Sequence, residues 1–430
     1  MRVKDVEYME NLKAKIISIT NKCYVEVIII GYLLYKLLIN RSKLINGYVS
    51  LWYAIDYSYG FGSRLLIGSI LRKLSPGGFT EDSTAYAFVI IALMVLCVII
   101  GLLLGMLFRK ISKINSDVGF AVAILIILYL ASPASPEYLW TDANMGRLDT
   151  YLLINTIIII FISLKITNKY LKYGLFLVIS ALSILIHQIF FFLFFPVLLV
   201  IMICDFWKEG LENKKKYYII VPIATAFVIF GVFCYMQFNS GIYYDDLELL
   251  YSDLSASTSV YIDRAPLKAE YFWTIRDHFV ENMLPDTKDR IRFTPLTVLM
   301  LAPMWFIYTR IWNMVVKSCE DKVKKWKYIL IRLTNIAYIP VFILMNDYGR
   351  WFSALFAVML FDLLILLYKE DEKVVDAVSK CGAFFKKYPI LPLGIILYIS
   401  SFDKFESLAW LDQVENFFYN SFDIYAMIFR

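Results

Sequence analysis

Eight residues with chemical potential stand where apolar runs of this 430-residue chain end: Asp56, Arg64, Asp142, Arg147, Asp149, His187, Asp347 and Arg350. They fall in four connections, WYAIDYSYGFGSR, SPASPEYLWTDANMGRLD (from Ser132), LSILIHQIFF and NDYGRW. These types suit a ligand carrying both phosphate and sugar. Arginine offers a planar fork of donors to phosphate oxygens. Tyr and Trp faces cover sugar rings, and a carboxylate binds a hydroxyl or takes its proton.

Each residue also has a purely structural use. Asp56 is either a catalytic base or the cap of the helix after it, paired with Arg64. His187, alone in apolar sequence, is either a working polar group at a broken turn or a hydrogen-bonded packing residue. Arg350 either holds a ligand together with Asp347 or anchors a helix end at lipid headgroups. Asp142, Arg147 and Asp149 are either functional or a local ion-pair set. Other chemistries lack their residues. Six cysteines contain no CxxC pair, two histidines are too few for a His-rich metal site, and neither GxxxxGK[ST] nor GxGxxG occurs.

The elements that must position these residues follow from composition. Hydrophobic residues make up 60% of the chain and charged residues 19%, with a mean hydropathy of +0.64. Soluble domains carry about 45–50% and about 25%. The chain is therefore expected to be an all-α, polytopic transmembrane bundle. Disorder, a secreted disulfide scaffold and an ordinary cytosolic enzyme are excluded, and nucleic acid is not an expected partner. The charged N-terminal stretch is too long for a cleaved signal peptide.

A crossing helix needs about 20 apolar residues. Clear candidates are 23–40, 85–107, 118–132, 150–165, 217–236, 294–310, 328–345, 351–368 and 388–401. The run 174–204 is too long for one span, and lysines flank it on both sides, so it reads as two short helices, 174–187 and 188–204, with His187 and Gln188 at the turn. Eleven spans put the N-terminus inside and the C-terminus outside. Lys and Arg then gather in the inside segments while Asp and Glu prevail outside, as the positive-inside rule requires. The net charge of +6 is a topology signal.

The whole chain, 1–430, reads as one integral membrane domain. Its outer segments are a first loop (41–84) with an interfacial helix near 62–73, a large loop (237–293) able to form a small subdomain, and a tail (402–430). Within the spans, Asp362 is expected to make a structural hydrogen bond, and Glu26 and Lys36 to snorkel. Asn40-Arg41-Ser42, a glycosylation-type triplet, abuts the membrane and is read as chance. The Ile, Lys, Asn, Tyr and Phe usage fits an AT-rich bacterial genome, and hence a bacterial cytoplasmic (inner) membrane.

This layout resembles multi-spanning glycosyltransferases of the GT-C type, which carry an acid in the first outer loop near interfacial helices, as Asp56 before 62–73 does. It is also similar to O-antigen and capsule polymerases in its length, span number, large late loop and outer arginines. The resemblance implies transfer of sugar or oligosaccharide units from a polyprenyl-phosphate-linked donor to a glycan acceptor, in capsule, O-antigen or exopolysaccharide synthesis. Asp56 would be the base, His187 would orient the acceptor or bind phosphate, and Arg64, Arg147 and Arg350 would stabilise the departing phosphate. Membrane lipid and other polysaccharide-assembly proteins are the further partners implied. The DxD or ExD pair of many GT-C loops is absent, so no metal ligand is named, and a divalent metal stays an open cofactor. The competing class is a transporter or flippase of lipid-linked oligosaccharide, which would want charges along a path through the bilayer. A membrane acyltransferase is a third reading, poorly served by one histidine without HxxxD.

Overall fold

A computed structural model describes residues 23–212, 217–273, 275–277, 280–281, 287–344 and 347–405. The expected inside N-terminus (1–22), His278 and the tail beyond residue 405 lie outside the described residues.

Among the described residues the chain is all-α apart from one two-residue strand pair. Among the described residues, five helices are long and apolar enough to cross a membrane: Asp82–Ile111, Ser116–Trp140, Lys169–Ile186, Ile219–Asn239 and Tyr348–Tyr368. Two bent pairs bring this to as many as seven if each pair is one span: Thr294–Met300 with Ala302–Lys317 (69°) and Glu372–Lys387 with Ile390–Ser400 (96°). Tyr24–Asn40 and Asp149–Lys165 are apolar helices of 17 residues each. The expected span 328–345 is broken into Lys322–Leu333, a 3-10 turn at Thr334–Tyr338 and Ile339–Leu344.

Local chemistry sets the helix starts. The side chains of Asn46, Asn115, Asn168, Asp246, Asp263 and Asp321 each accept a backbone N–H in the first turn of the helix they precede. Small residues allow a close crossing, because a Cβ on Gly105 would meet Glu26 Cγ at 2.4 Å and one on Gly101 would meet Ile30 at 2.4 Å. The Tyr24–Asn40 and Asp82–Ile111 helices therefore pack backbone to backbone. The Tyr348–Tyr368 helix is buried along almost its whole length and forms the bundle's centre.

Charged residues sort to two ends. At one end Arg109 pairs with Glu26, Lys172 and Lys369 with Asp205, Lys327 with Asp371, and Lys386 with Asp117. At the other end Lys36 and Lys404 face Glu137, Arg72 pairs with Asp56, Arg147 with Asp347, and Arg350 with Asp149. The eight candidate residues belong to this second end.

Here the loops fold on one another. Gly60–Phe61 pairs antiparallel with Gly241–Ile242, Ser50 Oγ donates to Tyr261 O (2.6 Å) and Thr258 Oγ1 to Thr80 O (2.6 Å). The described part of the large loop thus lies as a cover on the first loop. The expected interfacial helix is Leu66–Leu74, turning Leu65, Ile67 and Leu71 inward and leaving Ile70 and Leu74 exposed.

Candidate functional site

Three arginines from three separate segments meet at this end. Arg350 stands in the first turn of the Tyr348–Tyr368 helix. Its Nε donates to Asp149 Oδ2 at 2.7 Å and its guanidinium to Asp347 Oδ2 at 2.5 Å. Asp347 also faces Arg147 at 3.5 Å, so one carboxylate joins two guanidiniums. That carboxylate precedes the helix without capping it.

Arg64 completes the group. Its backbone holds φ +73, a left-handed conformation that costs a non-glycine residue of order 1–3 kcal/mol. Its amide donates to Leu185 O (2.9 Å), its guanidinium lies 5.0 Å from the Trp52 ring, and it pairs with Glu270 on the Arg264–Tyr271 helix. Its Nε reaches His187 Nδ1 at 3.5 Å, and Ile189 N reaches the same atom at 3.4 Å. His187 Nδ1 is therefore an acceptor, which puts the neutral ring's proton on Nε2. His187 lies where the Lys169–Ile186 helix stops, before the Phe190–Leu193 turn, as the sequence suggests.

Burial and like charges shape the electrostatics. Burial, with Arg350 and Arg147 nearby, pulls Arg64 down to about 10. Burial also lowers Arg147, with Arg350 acting in the same direction. For Asp347, burial pushes the carboxyl up, but Arg147 and Arg350 outweigh it and hold it below the usual aspartate value. The cluster carries three guanidiniums against Asp149, Asp347 and Glu270. Arg147 Nε and the Tyr271 hydroxyl are buried there without a hydrogen-bond partner among the described residues.

Asp56 stands apart. It does not pair with Arg64. It accepts from Ser58 N at 2.6 Å and from Arg72 at 2.5 Å, and it lines a cleft of about 530 Å³ with Tyr57, Ser58, Ser69, Arg72, Lys73, Ser75 and Gly78. Ser69, Arg72 and Lys73 of this lining stand on the Leu66–Leu74 helix, which begins two residues after Arg64. Asp142 is exposed, and its carbonyl accepts from Asn46. The local trio Asp142, Arg147 and Asp149 does not form, because Arg147 and Asp149 pair with residues of the 347–350 turn.

Among the described residues, no group of three His, Cys, Asp or Glu could hold a metal ion. No protein-family model, curated protein or solved structure matches this chain.

Sequence reasoning missed Glu270, Tyr271, Arg72 and Glu137. Glu270 and Tyr271 are two among many charged and aromatic residues of a long loop, and nothing in their spacing singles them out. Arg72 was visible as the polar side of the interfacial helix, eight positions after Arg64. Glu137, 1% exposed, receives the Tyr32 hydroxyl at 2.9 Å. Asp362 differs from expectation, since its Oδ1 is buried with no hydrogen-bond partner among the described residues.

Proposed function

We propose that this chain transfers sugar or oligosaccharide units from a polyprenyl-phosphate-linked donor at the outer face of a bacterial cytoplasmic membrane, in surface polysaccharide synthesis. The observation that carries the reading is the convergence of Arg64, Arg147 and Arg350, all nearly buried, at one end of an apolar helical bundle. The reading takes that end as the outer one, the side to which the lysine and arginine distribution of the sequence assigns these loops.

In this reading the donor's phosphate or diphosphate lies on the three arginines, and the first turn of the Tyr348–Tyr368 helix adds its positive dipole end. His187 borders the phosphate through Arg64. The anomeric carbon lies between the arginines and the Asp56 cleft, where serine hydroxyls and Arg72 offer donors and acceptors. Asp56 takes the proton of an acceptor hydroxyl as its oxygen bonds to the anomeric carbon. The bond from that carbon to the phosphate oxygen breaks, and its electron pair leaves on the phosphate, against the arginines. Removing one such charge partner typically costs ~10²–10³ in turnover. The prenyl tail lies in the bilayer, where Phe191 stacks on Phe195 (5.0 Å) and Phe233 (4.6 Å) just past His187.

The test is where lipid-linked units collect in cells lacking the protein. Accumulation on the outer leaflet supports outer-face transfer. Accumulation facing the cytoplasm replaces transfer with the flippase reading.

A further inference from the structure

Of the three carboxylates in the arginine cluster, two are built into the bundle. Asp149 begins the Asp149–Lys165 helix with its side chain 1% exposed, and Asp347 precedes the Tyr348–Tyr368 helix. Glu270 alone comes from the covering loop, with its side chain 21% exposed. It meets Arg64, which like Arg147 lies outside a helix. Beside that pair, two buried donors have no acceptor among the described residues: the hydroxyl of Tyr271, the residue after Glu270, and Nε of Arg147. Burial keeps the Tyr271 hydroxyl protonated, and so a donor, beside the Arg64 guanidinium.

A buried donor left unpaired is costly, and an internal carboxylate can satisfy only the groups it reaches. Glu270 neutralises Arg64 and leaves the other two donors empty. An anion with more oxygens, set between Arg64, Arg147 and Tyr271, would satisfy all three. We infer that Glu270 is an internal stand-in for a diphosphate, exchanged for the ligand when it arrives, and that Tyr271 is a binding residue for that diphosphate. The inference rests on the arginine cluster being the anion site proposed above.

The exchange needs only side-chain movement. The Arg264–Tyr271 helix remains docked by buried Pro266, Leu267 and Ala269 and by the Ser50–Tyr261 hydrogen bond. Glu270 rotates to solvent, the diphosphate takes its place on Arg64, and the Tyr271 hydroxyl and Arg147 Nε donate to its oxygens. No covalent bond changes. The carboxylate makes the empty site electrically neutral, so that a weakly charged anion gains little by entering.

The test is calorimetric titration of the purified full-length chain in detergent with farnesyl diphosphate and, separately, inorganic pyrophosphate. Glu270→Gln is expected to bind farnesyl diphosphate about tenfold more tightly than the wild type, and Tyr271→Phe about tenfold more weakly, the scale of one charge-assisted hydrogen bond. The same gain with inorganic pyrophosphate assigns recognition to the diphosphate itself. A gain confined to farnesyl diphosphate ties the exchange to the lipid-linked form. Either upholds the exchange. Thermal unfolding separates it from a merely structural ion pair: Glu270→Gln is expected to melt lower than wild type without ligand and to regain that loss when farnesyl diphosphate is added. If the wild type binds and Glu270→Gln binds no more tightly, the exchange is overturned while the anion site stands. If neither probe binds wild type or any variant, the anion site itself falls, and the exchange with it.

Discussion

Nε of Arg350 lies 2.7 Å from Oδ2 of Asp149, across 201 positions of sequence. The two residues stand in the first turns of different helices, and their side chains are 6% and 1% exposed. This pair fixes the Tyr348–Tyr368 helix against the Asp149–Lys165 helix at the end of the bundle where the candidate site lies.

Removing Arg350 leaves Asp149 an uncompensated buried charge, which typically costs about 3–5 kcal/mol, whereas removing Asp149 leaves Arg350 with Asp347 alone and costs less. Asp149→Leu and Arg350→Met are each expected to lower the thermal unfolding midpoint in detergent, Arg350→Met by more. The double variant should lose much less than the sum, with a coupling of about 1–3 kcal/mol. Additive losses would show that the two side chains do not depend on one another.

Asp347 gives a pH dependence. Its carboxyl is held below the usual 3.8 by Arg147 and Arg350, against the opposing effect of burial. A lowered carboxylate stabilises the fold above its unfolded value, and that contribution is lost as pH falls from about 3.8 through the lower folded value. The stability difference between wild type and Asp347→Asn is therefore expected to be constant near neutrality and to shrink below about pH 3.8. A difference that persists unchanged into strong acid contradicts the assignment.

Gly68 positions both halves of the site without chemistry of its own. A Cβ there would meet the Ile55 carbonyl oxygen at 1.9 Å and the Trp52 carbonyl at 3.2 Å. Gly68→Ala must push the Leu66–Leu74 helix off the Gly47–Ala54 helix, at a cost of about 1–3 kcal/mol for an overpacked contact. Surface-glycan output is expected to fall with that variant, while Gly77→Ala, which meets nothing within 4 Å but holds φ +66, should affect stability more than output. Equal output from Gly68→Ala and wild type would show that the helix position is not critical.

Asp56→Asn separates the base from the cap. Asparagine keeps an oxygen for Ser58 N, so the turn and the membrane level of the protein should survive, while Arg72 loses its charged partner. Glycan synthesis is expected to fall by ~10²-fold or more, the range for a positioned acid–base group. Normal synthesis at matched protein level removes Asp56 from the chemistry and leaves it the structural role of holding Ser58 and Arg72.

Much of the architecture was legible because apolar run length and lysine placement report directly on helices and their ends. The run 174–204 does break at His187, where its turn is expected, and its second half breaks again at Phe194. Arg64, Arg147, Asp347 and Arg350 were legible for a related reason: a charge beside an apolar run must find a partner or water. Partner choice was not legible. Arg147 and Asp149, two positions apart, each choose a residue of the 347–350 turn, a choice set by helix packing rather than by local spacing. Asp56 likewise reaches Arg72, on the far end of the short helix, instead of the nearer Arg64. Glu270 was hidden because the covering loop places one of its several acids on Arg64 through contacts spread along the first loop.

The most direct test of the arginine site is complementation of cells lacking the protein with Arg64→Ala, Arg147→Ala or Arg350→Ala, at matched membrane level, with lipid-linked units and surface glycan both quantified. Arg147→Ala is the most telling, because Arg147 makes the weakest contact to Asp347 and its loss should disturb the fold least. The expected result is accumulation of lipid-linked units outside and loss of surface glycan with each variant, with partial rescue by Arg147→Lys. Full rescue by Arg147→Ala and Arg64→Ala would contradict a role for the cluster in holding the departing phosphate.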